Sequence, residues 1–166
     1  MKERRTREPQ LACNHASPEE ARSFEELALK ELREAGYRIT MPRVQVIRAL
    51  GESNKALSAY AIHERIISTG GKIDVVSVYR ILATLQEVGL IHHIGVVDGY
   101  FACRQAGADR DRSEHLICES CGCVTELSLP TSIVATTEEQ AQKAGFKVTN
   151  LKVEILGKCT HCQGKA

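Results

Sequence analysis

Apolar positions in the first half of the chain recur at helical spacing in four separate stretches. Ser17-Pro18-Glu19-Glu20 reads as a helix start, with Ser17 as N-cap, proline in the first turn and Glu20 closing a capping box. Phe24, Leu27 and Leu32 follow at helical spacing, and Gly36 ends the segment. Thr40 opens a second helix with Val44, Ile47 and Leu50 inward and Gly51 after it. Ser58 opens a third with Ala59, Ile62 and Ile66 inward and Gly70 near its end. Asp74 opens a fourth with Val78, Ile81, Leu82 and Leu85 inward, stopped by Gly89. The period then changes. Residues 90–97 and 100–104 read as strands joined at Asp98-Gly99, a pair that favours a two-residue hairpin turn. In that turn Val97 pairs with Tyr100 and Ile94 with Cys103. Short helices followed by a hairpin predict a winged helix-turn-helix, with the fourth helix suited to a DNA major groove and the hairpin as its wing.

On the fourth helix, Ser77, Tyr79, Arg80 and Thr84 lie nearer the outer face. Tyr79 suits a thymine methyl or a phosphate, and Arg80 a phosphate or a guanine. The plainer alternative is a half-buried tyrosine beside a surface ion pair.

In the second half, residues 116–118 and 124–127 read as strands, 132–144 as a helix ending before Gly145, and 146–156 as a long strand. So small a sheet with one helix has little core of its own, and pairing with a second copy is expected. The predicted fold class is α+β. A polar tail spans 1–16, a winged-helix DNA-binding domain 17–104, a hinge 105–112, and a small α/β dimerisation domain 113–166.

Composition narrows the setting. At 166 residues, 43% hydrophobic and 26% charged, the chain is of ordinary globular make-up. Twenty-two Lys+Arg against 21 Asp+Glu give no global pull toward nucleic acid. Residues 38–80 hold a local excess, seven basic against three acidic. No apolar run approaches the ~18 residues of a membrane span, and the charged first ten residues lack the apolar stretch of a signal peptide. The expectation is a cytoplasmic protein without a membrane partner.

In that reducing setting, seven cysteines point to metal or redox chemistry. Cys118-Glu119-Ser120-Cys121 and Cys159-Thr160-His161-Cys162 are two Cys-x-x-Cys knuckles. Each turn aims two thiolates at one point, and together they supply the four sulfurs of a closed tetrahedral zinc site. A single such pair would equally suit a thiol oxidoreductase. His161 reads as a spacer, Cys123 as a free thiol pointing away, and Cys13 with His15 receive no role.

These residues resemble the ferric uptake regulator family of bacterial metal-dependent repressors. The resemblance runs from Gly36-Tyr37-Arg38-Ile39-Thr40 and Arg43, through Leu57-Ser58-Ala59 and Val76-Ser77-Val78-Tyr79-Arg80-Ile81-Leu82. It continues through Gly89-Leu90-Ile91, His115-Leu116-Ile117-Cys118 and Cys121-Gly122 to Gly145-Phe146, Glu154, Gly157 and Cys159 to Cys162. It implies a winged-helix domain, a dimerisation domain, a sensing site near the hinge, Tyr79 and Arg80 as recognition-helix residues, and Arg38 as a basic residue that reaches DNA in some members.

The His-rich run found in iron and peroxide sensors is reduced here to His115, so the chain is more similar to the zinc uptake regulator subgroup. That pattern implies His92, Cys103 and Glu126 as regulatory ligands, with His115 as the fourth and Asp111 as its alternative. The expected hairpin independently puts His92, not His93, on the face of Cys103. A thiolate beside imidazoles suits zinc better than iron(II) or manganese(II). The expected function is a zinc-responsive repressor of zinc-uptake genes with one structural and one regulatory zinc per subunit. It would bind an inverted-repeat DNA operator as a homodimer and take no small-molecule substrate. The rivals are the same repressor sensing iron, manganese or peroxide, a zinc-ribbon interaction module, and a thiol oxidoreductase. A zinc deaminase is disfavoured, because His63-Glu64 lacks the His-x-Glu spacing and neither cysteine pair follows a proline.

Overall fold

The computed structural model describes residues 16–104 and 112–163. The tail residues 1–15, with Cys13 and His15, lie outside the described residues, as do hinge residues 105–111 with Asp111. Among the described residues no helix is long and apolar enough to cross a membrane.

The N-terminal unit opens with helix α1 (Pro18–Glu34). Its capping box forms: Ser17 Oγ accepts from Glu20 N at 3.2 Å, and Glu20 Oε2 accepts from Ser17 N at 2.7 Å. Helices α2 (Met41–Gly51), α3 (Ala59–Ser68) and α4 (Val75–Glu87) follow, and the hydroxyl of Ser58 and the carboxylate of Asp74 cap α3 and α4. Thr40 occupies the cap position of α2, but its side chain makes no capping bond there. One core joins Phe24, Ala28 and Leu32 to Ile47, Leu50, Ile62, Ile66, Val78, Leu82 and Leu85. The predicted inward face of α4 is buried throughout.

The wing differs from its prediction. Strands β1 (Ile91–Ile94) and β2 (Gly99–Ala102) are shorter, and a 3-10 turn over Gly95–Val97 separates them. The register pairs His92 with Phe101 and Ile94 with Gly99, in place of Ile94 with Cys103. Two contacts explain the change. Gly95 N and Val96 N donate to the Glu154 carboxylate at 2.8 and 2.9 Å, which holds the 3-10 turn. Gly99 lies against residues 56–57, where a Cβ would stand 3.0 Å from Ala56 Cβ and 3.2 Å from Leu57 N. There Leu57 and Tyr100 exchange backbone hydrogen bonds at 2.9 and 2.8 Å.

The C-terminal unit is a three-stranded sheet in the order β4-β3-β5. Strand β3 (Arg112–Cys118) pairs antiparallel with β4 (Val124–Glu126), and helix α5 (Thr131–Lys143) returns the chain to β5 (Leu151–Gly157), parallel to β3. The expected strand over 146–156 is therefore halved. Residues 146–150 carry the chain from α5 to the sheet, and Phe146 is 72% exposed. A short helix, α6 (Thr160–Gln163), ends the described chain.

The two units touch through a separate apolar cluster in which Ile94 and Phe101 of the wing meet Ile117 and Val124 of the sheet. Residues 54–57 stitch the same seam. Asn54 O accepts from Val124 N at 2.9 Å, Lys55 bridges Cys123, and Leu57 pairs with the wing. Gly99→Ala requires the wing or this segment to give by a few tenths of an ångström. Overpacking against backbone costs about 1–3 kcal/mol, so the variant is expected to lower the stability of the N-terminal unit by that amount, read as a smaller midpoint in denaturant unfolding.

Candidate metal centres

The first convergence of donors forms at the ends of β3 and β5. Cys118 closes β3, Cys121 sits in the following turn, Cys159 directly precedes α6 and Cys162 lies within it. The four sulfurs lie within 4.8 Å of one another. Cys121 Sγ and Cys159 Sγ are 3.8 Å apart. That is far beyond a disulfide's ~2.05 Å, and it matches sulfurs held tetrahedrally at ~2.3 Å from one ion. Backbone N–H groups of Cys159 and Cys121 hold the Cys118 thiol down at about 6. The hydrogen bond to Cys159, burial and the neighbouring sulfurs push Cys162 up to about 12. Four thiolates cannot collect at one point without a cation, and the set fits a closed zinc site with no open position for substrate. Cys123 is not one of the four sulfurs. Its carbonyl accepts from Cys118 N at 2.9 Å, and the residue is buried with Cys118 and Cys162. His161 is exposed.

The second convergence joins wing to sheet. His92 of β1, Cys103 just beyond β2 and Glu126 of β4 bring nitrogen, sulfur and oxygen within 4.8 Å of one another. The Cys103 thiol is hydrogen-bonded to the Glu126 carboxylate, whose two oxygens also accept from Arg104 N at 3.1 and 3.3 Å. Burial raises the Glu126 pKa despite those bonds. Burial and then the Lys152 charge lower that of His92, which favours the neutral imidazole a metal needs. The group fits a partly buried N/S/O site, softer than a carboxylate cage.

His115 stands beside this group. Its ring centroid lies 5.1 Å from that of His92, it is 1% exposed, and burial, then His92, bring its pKa to about 4. His93 takes the other face of β1, bonded to Asp98 at 2.9 Å and packed on Tyr100. The sheet register aligns Glu126 with His115 and His115 with Glu154, so these three side chains form one row across the sheet.

On α4, Tyr79 is 46% exposed and Arg80 is exposed, whereas Ser77 is half-buried with its hydroxyl bonded to the capping Asp74 at 2.6 Å. Arg38 is exposed, and its carbonyl accepts from Arg43. The sequence reading passed over Tyr60, 63% exposed on α3, which meets Tyr79 edge-on at 6.4 Å between centroids. Ala59, Ile62 and Ile66 facing inward already require Tyr60 to face out.

A winged helix joined to a sheet bearing two donor clusters defines the class of metal-site winged-helix regulators. Residues 34–156 match the model of the ferric uptake regulator family, and the chain belongs to that family. It is thereby a transcriptional repressor with a metal site, not an enzyme. The ferric uptake regulation protein of Legionella pneumophila is 30% identical over 135 residues, spanning 81% of this chain and 97% of its own length. That of Escherichia coli (strain K12) is 33% identical over 131 residues, spanning 77% and 85%. Among solved structures, a zinc uptake regulator complexed with zinc and DNA is similar with a TM-score of 0.75 at 25% identity, covering 86% of this chain and 95% of that one. Holo XcZur gives 0.74 at 26% identity, covering 85% and 97%. Apo XcZur, also 26% identical and covering 88% and 99%, gives 0.51. Identity is the same for both forms, so the arrangement of this chain is nearer the holo one.

Cys121→Ser breaks the four-sulfur set. Structural zinc sites carry about 10 kcal/mol or more of folding free energy, and the small sheet has little else. The expected result is loss of one metal equivalent and of β3–β5 order, checked by metal analysis and circular dichroism.

Proposed function

We propose that this protein is a zinc-responsive, DNA-binding repressor of zinc-uptake genes that acts as a homodimer on an inverted-repeat operator. The observation that carries this reading is the thiol-containing group His92, Cys103 and Glu126, which links the wing to the C-terminal sheet. The nearer match to holo than to apo XcZur supports it, as does the likeness to a zinc regulator bound to zinc and DNA. Cys118, Cys121, Cys159 and Cys162 are assigned the structural ion; His92, Cys103, Glu126 and His115 the regulatory one, with Asp111 the alternative to His115.

A bound zinc ion supplies coordination to soft and borderline donors at the regulatory group. The rest is done by the chain. His92 and Cys103 belong to the wing and Glu126 to the sheet, so the three donors meet only when the wing lies across β3 and β4. The wing is rigidly tied to α4, because Leu90 and Ile91 share the core of Leu82 and Leu85. Fixing the wing therefore fixes α4, with Tyr79 and Arg80 outward beside Tyr60. Arg38 and Ser77 are further candidate DNA contacts, Ser77 with its hydroxyl bonded to the capping Asp74. In a dimer, two such helices related by a twofold axis face successive major-groove half-sites. An ion that binds this arrangement in preference to an open one shifts the population toward it.

The second reading is iron sensing, favoured by the sequence relatives, which are ferric uptake regulation proteins. Operator binding titrated in parallel with zinc, iron(II) and manganese(II) separates the two: response at the lowest free zinc supports the proposal, and response to iron(II) alone refutes it. Cys103→Ser is expected to keep the structural metal and the dimer while weakening zinc-triggered operator binding at least ~10-fold, in line with losing one ligand. Arg80→Ala is expected to cost ~1–3 kcal/mol of operator binding, read by fluorescence anisotropy at saturating zinc.

A further inference from the structure

The row across the sheet has a third member that neither metal group uses. Glu154 lies next to His115 on β5, with its side chain only 16% exposed. Its two oxygens accept from Gly95 N and Val96 N, consecutive donors at the start of the wing's 3-10 turn. Lys152, two residues earlier on the same face of β5, pairs with Glu154 Oε1 at 2.7 Å and donates to His93 O of β1. Two side chains of β5 thus grip the wing tip at three backbone atoms. Burial alone would raise the Glu154 carboxyl, yet Lys152 and the two amides hold it down at about 2. Gly95 and Val96 are exposed residues whose amides donate to this carboxylate.

We propose that Glu154, seated by Lys152, is a positioning residue that fastens the wing to the C-terminal sheet whether or not the regulatory donors hold an ion, and so sets the metal concentration at which the operator is engaged. The second half of this statement rests on the metal-responsive reading above; the first half does not. A ligand's apparent affinity scales with the fraction of molecules already in the binding-competent arrangement. A fastening that works without metal raises that fraction and lowers the threshold.

Amide exchange tests the first half. In the full chain carrying Cys103→Ser, with the four-cysteine site filled, Gly95 and Val96 are expected to exchange at least ~10-fold more slowly than in the same chain with Glu154→Ala added, because a hydrogen bond to a charged group is worth about a factor of ten or more. Equal rates with and without Glu154, or loss of protection on Cys103→Ser alone, overturn the proposal. For the second half, Glu154→Ala in the otherwise native chain is expected to raise the zinc concentration at half-maximal operator binding about tenfold, while binding at saturating zinc is retained. An unmoved midpoint overturns it. Should Glu154→Ala fail to fold, Glu154→Gln and Lys152→Met give the same two readings at smaller size. If the native chain ignores every metal in operator binding, the functional reading fails, and the exchange result still decides the fastening.

Discussion

Glu126, His115 and Glu154 cross the C-terminal sheet in one line, and the wing rests on that line. Each brings a polar group out of water; the two carboxylates are hydrogen-bonded by the wing or the residues next to it, and the His115 ring packs against a ring of the wing. Arg104 N and the Cys103 thiol meet Glu126, the His92 ring meets His115, and Gly95 N and Val96 N meet Glu154. A buried polar group left without its partner is costly. The wing can therefore dock in one register only, whereas the apolar contact of Ile94 and Phe101 with Ile117 and Val124 would tolerate sliding. Apolar burial supplies attraction here, and the polar row supplies position.

The row exists only if β3, β4 and β5 keep their registers. Slipping one strand by a single residue would turn its member of the row to the opposite face. The four-cysteine group sits where that slip must be prevented, just past the ends of β3 and β5. Glu119 N donates to Gly157 O at 2.9 Å alongside it. A structural site with no open position thus governs a second site some residues away, by fixing the frame on which the second is built.

Much of this was legible in the sequence, for physical reasons that differ by element. The helices follow from local caps and apolar periodicity, so α1 to α4 fall where expected. The two knuckles are local turns, each legible from its own spacing, and the pairing of β3 with β5 brings their four sulfurs together. The hairpin turn was misread, because Asp98-Gly99 is only a local preference. Glu154, 58 residues downstream of Val96, outweighs it by holding a 3-10 turn. His92 and Cys103 still share a face. The pairing moved by four positions in the sum of partner numbers, an even change, and even changes preserve which residues share a face of a strand pair. Glu154 itself was quoted only as part of a resemblance. Its place beside His115 depends on a parallel pairing made through α5, and no local pattern fixes the register of such a crossover. Tyr60 was legible, since the inward residues of α3 already turn it outward.

A switch of the proposed kind needs closure without metal to be neither complete nor negligible. Burial pushes Glu126 up and His92 and His115 down in pKa, which marks the cost of bringing these groups together in a dry place. The apolar seam, the stitch through residues 54–57 and the carboxylate of Glu154 act in the opposite sense and need no ion. A metal then has only the remainder to supply. Those metal-free contacts are made by residues other than the regulatory donors, so the balance can be tuned without altering the donor set. Selectivity among ions and the concentration at which one acts are thereby carried by different residues.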